Sequence, residues 1–374
     1  MRFLHLSDLH IGRRLSGISL LDDQRVILAQ AAELVQSCDA VLLAGDLYDK
    51  AQPSAEAVKL VSDFLVTLSR LNKPVFAISG NHDSPEQIAY CHELLGACGV
   101  HTSPAFDGQA SHHVLCDEHG QVHIWLLPFV KPASVRPFYE GVASYEDALS
   151  AIIAHMPLNL AQRNVLIAHQ YVSGAETCDS ESLMLGGVDC VSADLFNAFD
   201  YVALGHLHSP QRLRNGRVCY SGSPLKYSLS EERQKKAALI VTLGEKGSLS
   251  VEKHPFAAPH DLRTVRGELR EIASMEHCSE DYVYAVLSDE GALIDPLGTL
   301  RLCYPNLIGM RIVNSRTNEE MSVTESGAVD AFSPMEHFAA FYAAQNNHQP
   351  PDERRVAAMR AIFEEAEALR NAAN

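Results

Sequence analysis

Five apolar runs in this chain each end in a short polar cluster: Asp8 and His10 in SDLH, Asp46 and Asp49 in GDLYD, Asn81, His82 and Asp83 in GNHD, His169 in AHQ, and His206 and His208 in GHLH. They deliver carboxylates, imidazoles and one carboxamide, and almost nothing else. A single pair of this kind carries little weight. Asp-x-His recurs at Asp117 and His119, where CDEHG reads as a hairpin turn. The ordered set is far more specific than any member.

Hard carboxylates mixed with neutral imidazoles suit Mn²⁺ or Fe²⁺ better than Mg²⁺, which prefers oxygen, or structural zinc, which prefers thiolate. Asp8, His10, Asp46, Asn81, His169, His206 and His208 are too many ligands for one ion. They predict two divalent ions, ~3.5 to 4 Å apart, sharing a bridging carboxylate. Asp46, central in the order, is the expected bridge. His82 is flanked by a ligand and by Asp83, so it is expected to face the substrate and protonate a leaving oxygen, oriented by Asp83 or Asp49. Two such ions bring four positive charges against the two of Asp8 and Asp46. A phosphodiester can therefore bind in a chain whose formal net charge is -17.

Positioning these residues needs strands with polar carboxyl ends, as open α/β sheets provide. The first two hundred residues alternate strand-like and helical patterns. Strands are expected over Arg2–Leu6, Ala40–Ala44, Pro74–Ser79, Val122–Leu127, Asn164–Ala168 and Tyr201–Leu204. Leu20, Leu21, Gln24, Ile27, Leu28, Ala31 and Leu34 mark one helix face, and Ala57, Leu60, Val61, Phe64 and Leu68 another. From Arg217 to Lys253 strands dominate, which predicts a second sheet packed on the first. Three regions follow from these changes of pattern: a catalytic domain over 1–255, a small α/β module over 260–330 and a helical pair over 333–374. The first of those helices carries a capping box of Ser333, Pro334 and Glu336.

A chain of 374 residues with 47% hydrophobic content and no low-complexity tract is an ordinary globular one. No run approaches the ~18 apolar residues of a membrane span and no signal peptide is visible, so a cytoplasmic location is expected. Nine scattered cysteines without a C-x-x-C pair predict reduced thiols. Residues 211–236 hold seven basic side chains against Glu231 and Glu232, a net of +5. Among them Arg212, Arg214, Lys226, Lys235 and Lys236 are read as a rim that contacts DNA phosphates. Phe338, Phe341, Tyr342, Met359 and Phe363, on the last helices, have the spacing of a face that docks a partner. His5 is read as a satisfied core histidine, and His112, His113, His119 and His123 as solvated surface.

The ordered blocks resemble the calcineurin-like metallophosphoesterases. More narrowly, HLSDLHIGR, GDLYDKAQPS, ISGNHDS and GHLHSPQ are similar to the nuclease subunits of bacterial SbcCD-type complexes, counterparts of the double-strand-break repair nucleases of archaea and eukaryotes. The resemblance extends over YSGSPLKYS, the small module and the C-terminal Phe-x-x-Phe-Tyr. It implies a two-sheet α/β sandwich with a small α/β cap and C-terminal helices. The activity implied is a Mn²⁺-dependent DNA exonuclease and endonuclease of repair and recombination, nucleoid-associated, with no membrane contact. The implied partners are DNA and an SMC-like ATPase subunit of the SbcC type, with a homodimer inside a heterotetramer. The family's ligand pattern maps onto Asp8, His10, Asp46 and His208 for one ion and Asp46, Asn81, His169 and His206 for the other. Archaeal and eukaryotic members carry a His three residues after the bridging Asp, whereas Asp49 stands here. Two other readings are a small-molecule phosphodiesterase or phosphomonoesterase on the same site, and a non-catalytic scaffold that recruits an ATPase to DNA. Phosphoprotein phosphatases precede the Asn-His pair with Arg-Gly and follow it with Glu; SGNHD has neither.

Overall fold

Successive side chains of the Arg2–Leu6 strand enter different cores: Phe3 lies between two sheets, while Leu4 and Leu6 face a layer of helices. This alternation, which follows from the pleat of a strand, recurs along Ala40–Ala44 and Val75–Ile78 and gives a helix–sheet–sheet–helix arrangement. The structure, a computed structural model, describes residues 1–181, 189–314, 334–346 and 349–372. It divides into two compact units, Met1–Leu262 and Arg263–Asn374.

In the first unit, one six-stranded sheet runs Leu249–Pro255, Ala237–Leu243, Arg2–Leu6, Ala40–Ala44, Val75–Ile78, Val100–Thr102. Its last four strands are parallel, and Ala237–Leu243 pairs antiparallel with Arg2–Leu6. The second six-stranded sheet runs Gln211–Leu213, Val218–Tyr220, Tyr201–Gly205, Arg163–His169, Gly120–Leu126, Ser111–Asp117, with parallel central strands and antiparallel edges. Phe3, Leu42 and Phe76 from one sheet meet Ile124, Ile167 and Tyr201 from the other in a dry core. The two-sheet α/β sandwich matches expectation, with one correction. The strands after Arg217 do not make the second sheet by themselves: Val218–Tyr220 joins it, whereas Ala237–Leu243 and Leu249–Pro255 extend the first. Hydrophobic periodicity identifies a strand but is silent on its neighbour.

Helix Ala55–Arg70 starts at Ser54, whose hydroxyl accepts the Ala57 amide, and buries Ala57, Leu60, Val61, Phe64 and Leu68 against the first sheet. Burial of each of the larger side chains stabilises by roughly 1.5 to 3 kcal/mol. Helix Leu21–Val35 joins the same core through Leu28, Ala31 and Val35, and helix Tyr145–His155 covers the second sheet's outer face. His5 points between the sheets, its ring nitrogens 2.8 Å from Tyr201 Oη and 3.2 Å from the Leu204 carbonyl. Asp117 and His119 do flank a hairpin turn, where the Asp117 carboxylate takes the Arg163 guanidinium. Of the histidines of that hairpin, His112 and His119 are exposed as expected, whereas His113 and His123 are half-buried. His113 is half-buried against His101 and Phe76, and His112 stacks on Trp125 at 4.0 Å between ring centroids.

The second unit contains a three-stranded sheet, Leu262–Gly267, Tyr282–Leu287 and Leu307–Ile312, packed on helix Pro296–Cys303 through Val283, Leu287, Leu300 and Tyr304. Cys278 and Cys303 form a disulfide there. This corrects the expectation that every thiol is reduced: spacing in sequence does not reveal two cysteines that a fold brings together. Helices Pro334–Gln345 and Glu353–Ala372 complete the unit. The expected N-cap, Ser333, lies outside the described residues. On these helices Phe341 is exposed, while Phe338, Tyr342, Met359 and Phe363 are half-buried. Among the described residues no helix is long and apolar enough to cross a membrane.

Candidate metal centre

Five parallel strands, three in one sheet and two in the other, end side by side, and their loops fold back over the strand ends. The turns are tight enough to force unusual backbone. Asp8, His10, Asp46 and His206 have φ of 51°, 43°, 51° and 102°, a region that residues with a β-carbon rarely enter and that is kept where surroundings over-determine it. Glycine permits the remaining close approaches. A β-carbon on Gly80 would lie 2.1 Å from Asp46 Oδ1, and one on Gly205 would lie 2.0 Å from the Ala44 carbonyl oxygen.

The structure brings the seven expected ligands into one cluster, all buried except Asn81, which is half-buried. His10 Nε2 lies 3.2 Å from His208 Nε2 and 3.6 Å from Asp46 Oδ2. His169 Nε2 is 3.4 Å from the same oxygen, Asp46 Oδ2. Asn81 Oδ1 sits 2.9 Å from His169 Nε2 and 3.0 Å from His206 Nδ1. One candidate triad of ligand atoms comes from Asp8, His10 and His208, and another from Asp8, Asp46 and His169, each set within 4.8 Å.

This donor set fits divalent cations. His169 Nδ1 donates to the Ala44 carbonyl at 2.9 Å, which aims the Nε2 lone pair at two oxygens. A second buried pair of imidazole nitrogens faces itself at His10 and His208. Lone pairs so arranged repel unless a cation or proton lies between them. His10 Nδ1 and His206 Nε2 are buried without a hydrogen-bond partner among the described residues, and such orphans are rare in folded proteins. Electrostatics agree. Burial pushes the Asp8 carboxyl up to about 6 against the pull of His169 and His208. Burial also holds the His10 and His206 imidazoles below their ordinary value, and so neutral. Burial opposes charge on His169 too, but Asp46 and Asp8 outweigh it and push that imidazole up to about 9. The two carboxylates demand positive charge at this place.

His82 lies at the margin, half-buried, its ring 4.9 Å from the His10 ring. Its amide donates to Asp46 Oδ1 at 2.8 Å, and its Nδ1 lies 3.1 Å from the backbone carbonyl of Asp49. The expected role of Asp83 needs correction. Its buried carboxylate accepts the amides of Leu47, Tyr48 and Gly80 at 3.1, 2.9 and 3.0 Å, tying the Asp46 loop to the Asn81 loop. Burial, then Asp46, push it up to about 7 against these three hydrogen bonds. It is a brace between loops. The Asp49 carboxylate, for its part, takes Arg13 at 2.8 Å.

The basic rim also changes. Lys236 is buried, and donates to the His208 carbonyl, Ser223, Gln234 and Glu231, so it is withdrawn from any DNA contact. Lys226 pairs with Asp261, Arg214 with Asp194, and Arg212 donates to the Val251 carbonyl, while Lys235 is exposed. Sequence reasoning missed several residues that hold the ligands. Ser7 bonds Asp8 and lies 2.8 Å from Ser221, Gln24 donates to the His10 carbonyl at 2.8 Å, and Glu231 approaches His208 Nδ1. Gln24 appeared only as one position of a helix face and Glu231 only as charge offsetting lysines.

Residues 1–210 match the calcineurin-like phosphoesterase family, and residues 258–346 match a second family, SbcD_C, described as a type 5 capsule protein repressor C-terminal domain. The chain is 30% identical over 349 residues to the SbcD subunit of the SbcCD nuclease of Staphylococcus epidermidis, covering 90% of this chain and 92% of that one. It belongs to the calcineurin-like phosphoesterase family, on the SbcD branch. Two solved structures match this phosphoesterase more loosely. TT1561 of Thermus thermophilus shares 16% identity at a TM-score of 0.38, over 67% of this chain and 98% of that one. GAP50, the anchor in the inner membrane complex of Plasmodium, shares 11% at 0.43, over 84% and 97%. The seven candidate ligands and His82 all lie within the first matched segment.

Proposed function

We propose that this phosphoesterase is the nuclease subunit of an ATPase–nuclease complex, hydrolysing DNA phosphodiesters at a centre for two Mn²⁺ ions, as a double-strand exonuclease and a single-strand or hairpin endonuclease. One observation supports the reading: Asp46 Oδ2 is 3.6 Å from His10 Nε2 and 3.4 Å from His169 Nε2, so one carboxylate adjoins imidazoles of both expected ligand sets. Asp8, His10, Asp46 and His208 would hold one ion, and Asp46, Asn81, His169 and His206 the other. Bound there, the ions supply positive charge to the phosphodiester and make a nucleophile from water near neutral pH. The chain does the rest. The strained loops fix the ligands before substrate arrives, so little reorganisation accompanies the reaction. His82, with Nδ1–H set on the Asp49 carbonyl, acts as an imidazolium: it gives its Nε2 proton to the leaving oxygen and is left neutral with the proton on Nδ1. Lys235 belongs to the surface that meets the DNA backbone.

The relative in Staphylococcus epidermidis is named for a complex, SbcCD, which supports an SbcC-type ATPase partner for this chain. Action in the cytoplasm on the nucleoid, in repair and recombination, and a homodimer within a heterotetramer, belong to the same proposal. The deciding assay offers linear duplex, hairpin DNA, a cyclic nucleotide and a phosphomonoester to the Mn²⁺-loaded protein. Cleavage of both DNAs is expected. Turnover of the last two alone would replace the nuclease by a small-molecule phosphoesterase, and turnover of none would favour the scaffold.

A further inference from the structure

His208 is held at both its ring and its backbone by one buried ion pair. Glu231 is 0% exposed, and its Oε1 lies 3.3 Å from His208 Nδ1. Ser180 Oγ lies 2.9 Å from the same nitrogen and donates to Glu231. Lys236 is 7% exposed and donates from Nζ to the His208 carbonyl at 2.8 Å, to Ser223 Oγ at 2.8 Å, to Gln234 Oε1 at 2.7 Å and to the Glu231 carboxylate. Glu231 accepts further from Ser223 at 3.3 Å and Ser228 at 3.4 Å. The bonds that join Glu231 and Lys236 to each other, to Ser223 and to His208 are buried.

Stability alone does not explain such an arrangement. Taking two charges out of water is costly, and a well-packed apolar pair of similar volume serves folding as well or better. What charge adds is orientation. A carboxylate can only accept, so Nδ1 of His208 must carry the proton, and Nε2 keeps its lone pair, 3.2 Å from His10 Nε2. A histidine ligand whose other nitrogen donates to a carboxylate is also a more basic ligand. His169, in the other half of the cleft, has a backbone carbonyl, that of Ala44, in that place.

We infer that Glu231 and Lys236 are a positioning pair for the ion site built on His208, with Glu231 fixing the ring tautomer and Lys236 fixing the backbone carbonyl. The inference rests on the two-metal reading above. Its consequence is an asymmetry: loss of the pair weakens the ion held by Asp8, His10 and His208, and spares the ion held by Asn81, His169 and His206.

The test is a Mn²⁺ titration of the full chain by calorimetry, with bound ions counted by electron paramagnetic resonance. Wild type is compared with Glu231→Gln and with the double variant Glu231→Leu/Lys236→Met, which removes both charges and so leaves neither one buried and unpaired. Wild type should bind two ions, and each variant should keep one at wild-type affinity while the other weakens by ~10- to 100-fold. If the double variant fails to fold, the isosteric Glu231→Gln decides by the same titration. Two ions at wild-type affinity in a folded variant overturn the inference, as does equal weakening of both. Fewer than two ions in wild type overturns the two-metal reading and this inference with it.

Discussion

The backbone carbonyl of Asp49 lies 3.1 Å from Nδ1 of His82, while the Asp49 carboxylate is engaged by Arg13 at 2.8 Å. A group that orients His82 is thus one that side-chain substitution at position 49 leaves in place. Asp49→Asn is expected to keep the rate within ~10-fold of wild type, whereas His82→Ala lowers it by ~10²- to 10⁴-fold with both ions retained. Steady-state kinetics and elemental analysis on the two variants check this. Loss of metal from His82→Ala would make that imidazole a ligand.

Asp46→Ala should abolish activity and reduce bound metal from two ions toward none, because its Oδ2 faces ligands of both halves of the cleft. The same carboxylate accepts the His82 amide through Oδ1, so the variant also releases the His82 loop. Elemental analysis that still finds two ions per chain would remove Asp46 from the bridge.

Much of this was legible in the sequence, for a physical reason. Ligands on strand ends must be Asp, His or Asn, and the strands themselves read as apolar runs, so Arg2–Leu6 and Ala40–Ala44 are found with the boundaries expected of them. Less legible was whatever depends on which elements meet. Asp83 beside His82 looks like its orienter, yet the backbone amides it braces come mostly from a loop some thirty-five residues earlier. Lys236 looks like part of a basic stretch, and only the fold turns it inward onto Glu231. Charge in a sequence carries no mark of burial.

Gly80→Ala should damage the centre as loss of a group that orients a ligand does. A β-carbon there would lie 2.1 Å from Asp46 Oδ1 and 2.5 Å from the Asp46 backbone nitrogen, which cannot give way without moving the strained turn that carries the carboxylate. Metal affinity is expected to fall by ~10- to 100-fold while the two sheets stay folded. Calorimetric Mn²⁺ titration with circular dichroism measures both, and wild-type affinity would show that the loop has room to relax.

Stability should fall in mild acid through His113. Burial, followed by His101 and His112, lowers its imidazole from 6.5 to about 4, with the His101 ring only 4.4 Å away. Between these values the unfolded chain binds a proton that the folded chain does not, so this contribution is complete above about 6.5 and is lost as pH falls toward 4. His113→Gln should therefore show a shallower decline of stability across that window. Denaturant titrations at several pH values decide it: an unchanged slope would assign the acid sensitivity elsewhere.

Partner docking through the C-terminal helices makes a demand that the exposure of their side chains can meet. Phe341 and Ile362 are 68% and 56% exposed, large apolar groups that the chain's own core does not use. Phe338 and Tyr342, one helical turn apart with ring centroids 6.0 Å from each other, form the adjoining half-buried face, and Arg355 lies over the Tyr342 ring. Burying several such side chains at roughly 1.5 to 3 kcal/mol each supplies much of a stable interface, and aromatic groups of this kind dominate interface energetics. Phe341→Asp with Ile362→Asp should thus abolish binding of the ATPase while melting temperature, metal content and partner-independent diester hydrolysis stay at wild-type values. The sequence of the second helix interleaves Arg354, Arg355, Arg360 and Arg370 with Glu353, Glu364, Glu365 and Glu367, which makes a purely electrostatic contact a poor substitute, so raising salt should weaken the wild-type complex little. Pull-down and calorimetry with the purified ATPase give the answer. Undiminished affinity in the double variant would move the docking surface off these helices, and a large drop in melting temperature would show that the two side chains belong to the protein's own packing.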